Sequence, residues 1–216
     1  MTDAQWQTCD EPDRMLTALQ DAYSDRKMLL FACACMRIAG PQLPPAVGGI
    51  ADTCEKVADG VVGASQRKSV LRNLAAAFGG DPVGAAAFAY GLIPLGAKLL
   101  GRQVVTTARA VSILGPNALH ASVTVPSHHS GQADLMRELH GPLIVRPGFD
   151  PDWRNETTEG LARAVYEQKA FDRLPILADA LEDAGCTDPE ILGHCRADGA
   201  IHAKGCWVVD LVIGLE

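Results

Sequence analysis

Apolar residues recur every three or four positions along most of this chain, and glycine and proline steps cut that recurrence into short lengths. The combination restricts the chain to packed helices more tightly than any other feature does. The clearest stretch begins at Ser24, which can cap a helix by accepting from a first-turn amide. Asp25 follows where the helix dipole favours an acid, and Met28, Leu29, Ala32, Cys33 and Met36 share one face. Gly40-Pro41 ends it, because proline cannot continue a helix. Nearer the N-terminus, the spacing predicts a helix that starts at Asp10 or Glu11 and contains Met15, Leu16 and Leu19. Pro44-Pro45 opens another along Val47, Ile50, Cys54, Val57 and Val61, and Ser65 precedes one with Val70, Leu71, Leu74 and Phe78. Gly79-Gly80-Asp81-Pro82 is a break, and helical spacing resumes over 83–99 and 102–114.

Two stretches escape the pattern. Segment 115–132 holds Gly115-Pro116-Asn117 and Pro126-Ser127-His128-His129-Ser130-Gly131, and reads as a mobile loop or linker. Segment 141–153 carries Pro142, Pro147 and Pro151, which predict an extended run that inserts Phe149 and Trp153 into the core. A helix over 133–139 separates them. Beyond them, helices are expected over 156–168 and 171–184. The second takes Asp172 as its cap, Pro175 in its first turn, and Leu174, Ile176, Leu177, Ala180 and Leu181 inward. A short helix capped by Thr187 or Asp188 follows, then a loop over 196–205, then a closing apolar helix from Cys206. The fold expected is an all-α or mainly α helical bundle, one domain over 1–216, divisible into subregions 1–114 and 133–216 joined by the 115–132 loop.

A net charge of −7 argues against nucleic-acid binding, which needs a clustered basic surface. The densest basic run, Arg67, Lys68 and Arg72, reads as one solvated helix face. The polar start Met1-Thr-Asp-Ala-Gln-Trp6 lacks the basic and apolar regions of a secretory leader, so a cytoplasmic location is expected. There the seven cysteines are thiols, ligands or core residues rather than a disulfide frame. The longest apolar passage, 83–100, is interrupted by Gly84, Gly91, Pro94, Gly96 and Lys98 and reads as a buried helix, not a membrane span. The partner expected is another protein.

The chemistry-bearing residues lie near the end. Cys186, His194, Cys195, His202 and Cys206 put three cysteines and two histidines within 21 residues. Three readings stand side by side. In the first, Cys186, His194, His202 and Cys206 converge on a metal, with zinc the ion that such ligands suit. The spacing is irregular and holds no Cys-x-x-Cys pair. In the second, Cys206 or Cys195 is a nucleophilic thiol. A place at the start of a helix, with Lys204 and Arg196 nearby, would favour its thiolate, His202 or His194 would act as base, and Asp210 would orient it. In the third, the cysteines are packed as small hydrophobes. Cys33, Cys35 and Cys54 lie on helical stripes and read as core. Asp179, Glu182 and Asp183 read as a solvated acidic face.

Two blocks resemble an uncharacterised, planctomycete-type bacterial family. One is Met1-Thr-Asp-Ala-Gln-Trp6 with Cys9, Met15-Leu16 and Ser24-Asp-Arg-Lys-Met-Leu-Leu-Phe-Ala-Cys33-Ala-Cys35. The other runs from Ala170-Phe-Asp-Arg-Leu-Pro through Gly185-Cys186 to His194-Cys195-Arg196 and His202-Ala-Lys-Gly-Cys206-Trp-Val-Val-Asp210. Together they cover under half of the chain, at its two ends. The resemblance implies a bacterial, cytosolic protein and assigns no activity, cofactor or catalytic residue. The expectation is a regulatory or protein-interaction module with a metal-stabilised Cys/His corner; the alternative is a thiol-dependent enzyme.

Overall fold

The computed structural model describes residues 1–19, 24–38, 46–62, 126–144 and 146–215, and among them no strand forms. The helices are α1 (Asp3–Thr8), α2 (Pro12–Leu19), α3 (Asp25–Ile38), α4 (Ala46–Ala58), α5 (Pro126–His140), α6 (Glu156–Gln168), α7 (Leu174–Asp183), α8 (Pro189–Cys195) and α9 (Trp207–Ile213). The mainly α expectation holds. The helices expected over 65–78, 83–99 and 102–114 lie outside the described residues, as does the basic run near Arg67. Among the described residues no helix is long and apolar enough to cross a membrane.

The chain divides into two compact units: 9–133, and 1–8 together with 134–216. In the first, α3 and α4 pack against each other. Met28, Leu29, Phe31, Cys33 and Cys35 of α3 are buried, as are Ala51 and Cys54 of α4. Ser24 does cap α3, its Oγ accepting from the Lys27 amide at 3.2 Å. Helix α5 corrects one expectation: residues 126–132, read as loop, are helical. Pro126 occupies the first helical position, where a missing N–H costs nothing, so the Pro-Ser start that looked like a turn opens a helix instead. Residues 115–125 lie outside the described residues.

The second unit carries the C-terminal core. Leu174, Leu177, Ala178 and Leu181 of α7 pack with Ala162, Val165 and Tyr166 of α6, Ile191, Leu192 and Cys195 of α8, and most of α9. Ile176 is exposed, against expectation. It lies about 200° from Leu174 around the helix, off the stripe that the leucines define. Asp172 is not the cap of α7. It sits in a 3-10 turn, Phe171–Arg173, and the helix proper begins at Leu174. Pro175 then falls among the first amides, which have no intrahelical acceptor in any case.

Three local devices fix the ends. Asn155 caps α6, accepting from the amides of Thr157 and Thr158 while the Thr158 hydroxyl accepts from the Asn155 amide. Arg154 donates to the carbonyls of Val212 and Leu211, each at 2.8 Å, and so closes the C-terminus of α9. Asp188 caps α8 through the amides of Glu190 and Ile191. The extended run after α5 behaves as its prolines require. Phe149 and Trp153 are half-buried against the core and meet edge to face at 5.6 Å. Trp6 is fully buried and donates from its indole to the Gly141 carbonyl at 3.0 Å.

Candidate metal centre

Four side chains from three helices and one loop converge in the second unit. Glu138 lies in the last turn of α5, His194 is next to last in α8, His202 belongs to the loop that follows, and Cys206 immediately precedes α9. One ligand atom from each lies within 4.8 Å of all the others. Glu138 Oε2 is 3.1 Å from His194 Nε2 and 3.0 Å from His202 Nδ1, and His194 Nε2 is 3.2 Å from Cys206 Sγ. The Ala203 amide donates to Glu138 Oε1 at 3.2 Å, which fixes the carboxylate plane. The Trp207 indole donates to His194 Nδ1 at 3.1 Å. Glu138 and Cys206 are buried and the two imidazoles nearly so.

Three of these separations can be compared with the edges of a coordination tetrahedron. Zinc bonds of about 2.0–2.3 Å to oxygen, nitrogen and sulfur put neighbouring ligand atoms about 3.3–3.6 Å apart. The separations of 3.0–3.2 Å are a little shorter than those edges. A single hydrogen on His194 Nε2 cannot serve both Glu138 and Cys206. One polar atom from each side chain faces the others, and this group could hold a metal ion.

Burial alone would push the Glu138 carboxyl up, but the hydrogen bonds and positive character of His194 and then His202 outweigh it and leave the group below the ordinary glutamate range. Burial pushes the Cys206 thiol well above its usual value. Glu138 and Cys195 add to that, and the amides of Val209 and Val208 oppose it. Burial likewise pushes Cys195 up to about 12. Both thiols are buried, and burial opposes the thiolate that a nucleophilic cysteine needs. A cation placed among Glu138 and Cys206 would invert that balance.

No protein-family model, curated protein or solved structure matches this chain. Of the residues singled out in the sequence, His194, His202 and Cys206 come together. Cys186 does not join them: it is fully buried in the leucine-rich core just past α7, where Gly185, at φ 94°, turns the chain. Cys195 follows His194 on α8 but packs in the same core. Arg196 turns to Asp179 and Glu182, at 2.7 and 2.6 Å. Lys204 lies over the Tyr166 ring at 4.5 Å from its centroid. Asp210 is buried in α9.

Sequence reasoning missed Glu138, although a signal was present. Leu135, Met136 and Leu139 form the buried stripe of α5, and Glu138 falls at helical spacing within it. A carboxylate on an apolar stripe calls for a partner. The ligand group also borders a cleft of about 610 Å³, to whose wall Glu138, His194 and Trp207 contribute.

Proposed function

We propose that the C-terminal unit is a zinc-binding helical module, in which Glu138, His194, His202 and Cys206 enclose one ion that ties α5, α8, the 196–205 loop and α9 together. The observation that carries this reading is the convergence of four different donor atoms within 4.8 Å in a buried corner. The donor types support zinc: carboxylate, imidazole and thiolate suit a borderline-soft ion indifferent to redox state. Charge supports it too, because a glutamate and a thiolate together neutralise a dication. A regulatory role fits a module whose terminal elements are held by one exchangeable ion.

Elemental analysis of purified protein tests the proposal. About one zinc per chain is expected, lost on chelation together with a fall in melting temperature and restored by added zinc. A chain that carries no metal, takes up none in titration calorimetry and melts identically with and without chelator would overturn it.

A further inference from the structure

The Trp207 indole decides how His194 can act. An indole N–H only donates, and here it points at His194 Nδ1 from 3.1 Å. Nδ1 must then offer its lone pair. A neutral imidazole has one hydrogen, which falls on Nε2, the atom that faces Glu138 and Cys206. A metal bound through Nε2 would need that lone pair and would return the hydrogen to Nδ1, leaving two donors face to face. The indole cannot turn aside to relieve the clash. It is buried, and it packs so closely on Gly141 that even a β-carbon there would come within 2.7 Å of its Cδ2.

Resting on the zinc reading above, we infer that the metal has three protein ligands, Glu138, His202 and Cys206, and a fourth position open to an outside ligand that accepts a hydrogen bond from His194 Nε2. Three protein ligands with one free position is the arrangement of zinc sites that take up water or a small molecule, whereas structural sites are closed by four. The free position faces the cleft, whose wall includes Glu138 and His194. A volume of about 610 Å³ suits a small molecule. Around the wall stand the carboxylates of Asp134, Glu190 and Asp198. The one guanidinium, that of Arg137, is tied to Asp134 at 2.7 Å and to the Trp6 carbonyl at 2.9 Å. The ligand class is therefore water, or a small molecule that presents a carboxylate or similar oxygen donor to the metal and a neutral or cationic body to the wall. A polyanion is repelled.

Cobalt-substituted protein tests this, because Co2+ takes zinc sites and its visible bands report coordination. Uptake of one cobalt with a thiolate charge-transfer band is expected, and azide or acetate should then shift the visible bands. His194→Gln, which keeps an N–H near the same place, should change metal affinity by no more than about tenfold, as for a group outside the ligand shell. Cys206→Ser and Glu138→Gln should weaken it far more. Trp207→Phe frees Nδ1 to carry the hydrogen, so His194 can ligate and the azide response should vanish. If no cobalt is taken up, the zinc reading itself fails. If cobalt binds with its thiolate band, yet anions leave the spectrum of the wild-type protein unchanged and His194→Gln costs as much as Cys206→Ser, the open position is refuted while the metal site stands. An azide response that persists unaltered in Trp207→Phe would equally refute the role given to the indole.

Discussion

Two corners of this protein are built from the same ingredients and neutralise them differently. Between α3 and α4, the buried carboxylate of Glu55 lies beside the hydrogen-bonded thiols of Cys33 and Cys54. Arg37 supplies the countercharge, 2.8 Å from Glu55 and 2.6 Å from Asp52. Around Glu138 the carboxylate again lies near a buried thiol, but the groups opposite it are imidazoles and a backbone amide. A guanidinium stays charged at any physiological pH and cannot leave. An imidazole can give up its proton and offer a lone pair instead. The first corner is finished by its own side chains, whereas the second could hold a cation from outside.

The largest effect that would break this comparison comes from removing the built-in charge. Arg37→Leu leaves Glu55 buried without its guanidinium and should cost about 3 kcal/mol. That is the low end of the range for a broken buried pair, because the Arg37 side chain keeps 37% of its surface in water. Added zinc should not restore it. Glu138→Gln should behave in the opposite way. It should cost less in metal-free protein but abolish the gain from zinc, a gain of about 2.7 kcal/mol for the wild-type chain at a hundredfold excess over Kd. Thermal melts of both variants with zinc and with chelator check the pair. Zinc rescue of Arg37→Leu, or a full zinc response in Glu138→Gln, would erase the distinction between the corners.

The sequence made one of these corners legible in outline and left its decisive residue out. His194, His202 and Cys206 stood out because reactive side chains crowd a short stretch, and Asp188 marked the start of the helix that carries His194. Glu138 could not be paired with them from spacing, since it lies 64 positions before His202 and reaches it only through the packing of α5 on the C-terminal core. Cys186 was drawn in by proximity along the chain, but the turn at Gly185 sends it into the leucine core. The same limit explains the start of α5 and the exposed Ile176. Local periodicity predicts that a helix exists, while its register and extent are set by what it packs against.

A smaller effect, read through pH, sharpens the contrast. In metal-free protein the folded Glu138 carboxyl sits below its unfolded value of about 4.3. Its contribution is present above that pH and is lost as pH falls through the folded value. The Cys206 thiol sits above its unfolded value of about 8.5. Its contribution is present below that pH and fades as pH rises beyond it. Stability attributable to these two groups should thus be flat between about pH 4.3 and 8.5 and fall on either side. Zinc should alter this, because the Cys206 proton must leave when the metal binds. Apparent affinity should rise about tenfold per pH unit near neutrality, with one proton released per ion. Calorimetry in buffers of different ionisation enthalpy counts that proton. A count of zero would mean that Cys206 is not a ligand and would return the corner to the class of its counterpart between α3 and α4.

The smallest effect concerns Arg196, the cation that the sequence placed beside the thiols. Its guanidinium instead bridges Asp179 on α7 and Glu182 one turn later, on the solvent side of that helix. Exposed ion pairs of this kind add little stability and are screened by salt. Arg196→Ala should therefore leave the melting temperature within experimental scatter and leave zinc affinity unchanged at low and at high ionic strength. Arg37 and Arg196 each bridge two carboxylates at nearly the same distances, and what differs around them is the burial of the partner acid. Arg37 faces a carboxylate that water cannot reach, and Arg196 faces two that it can. If Arg196→Ala proved as damaging as Arg37→Leu, burial of the partner acid would not be what separates the two arginines.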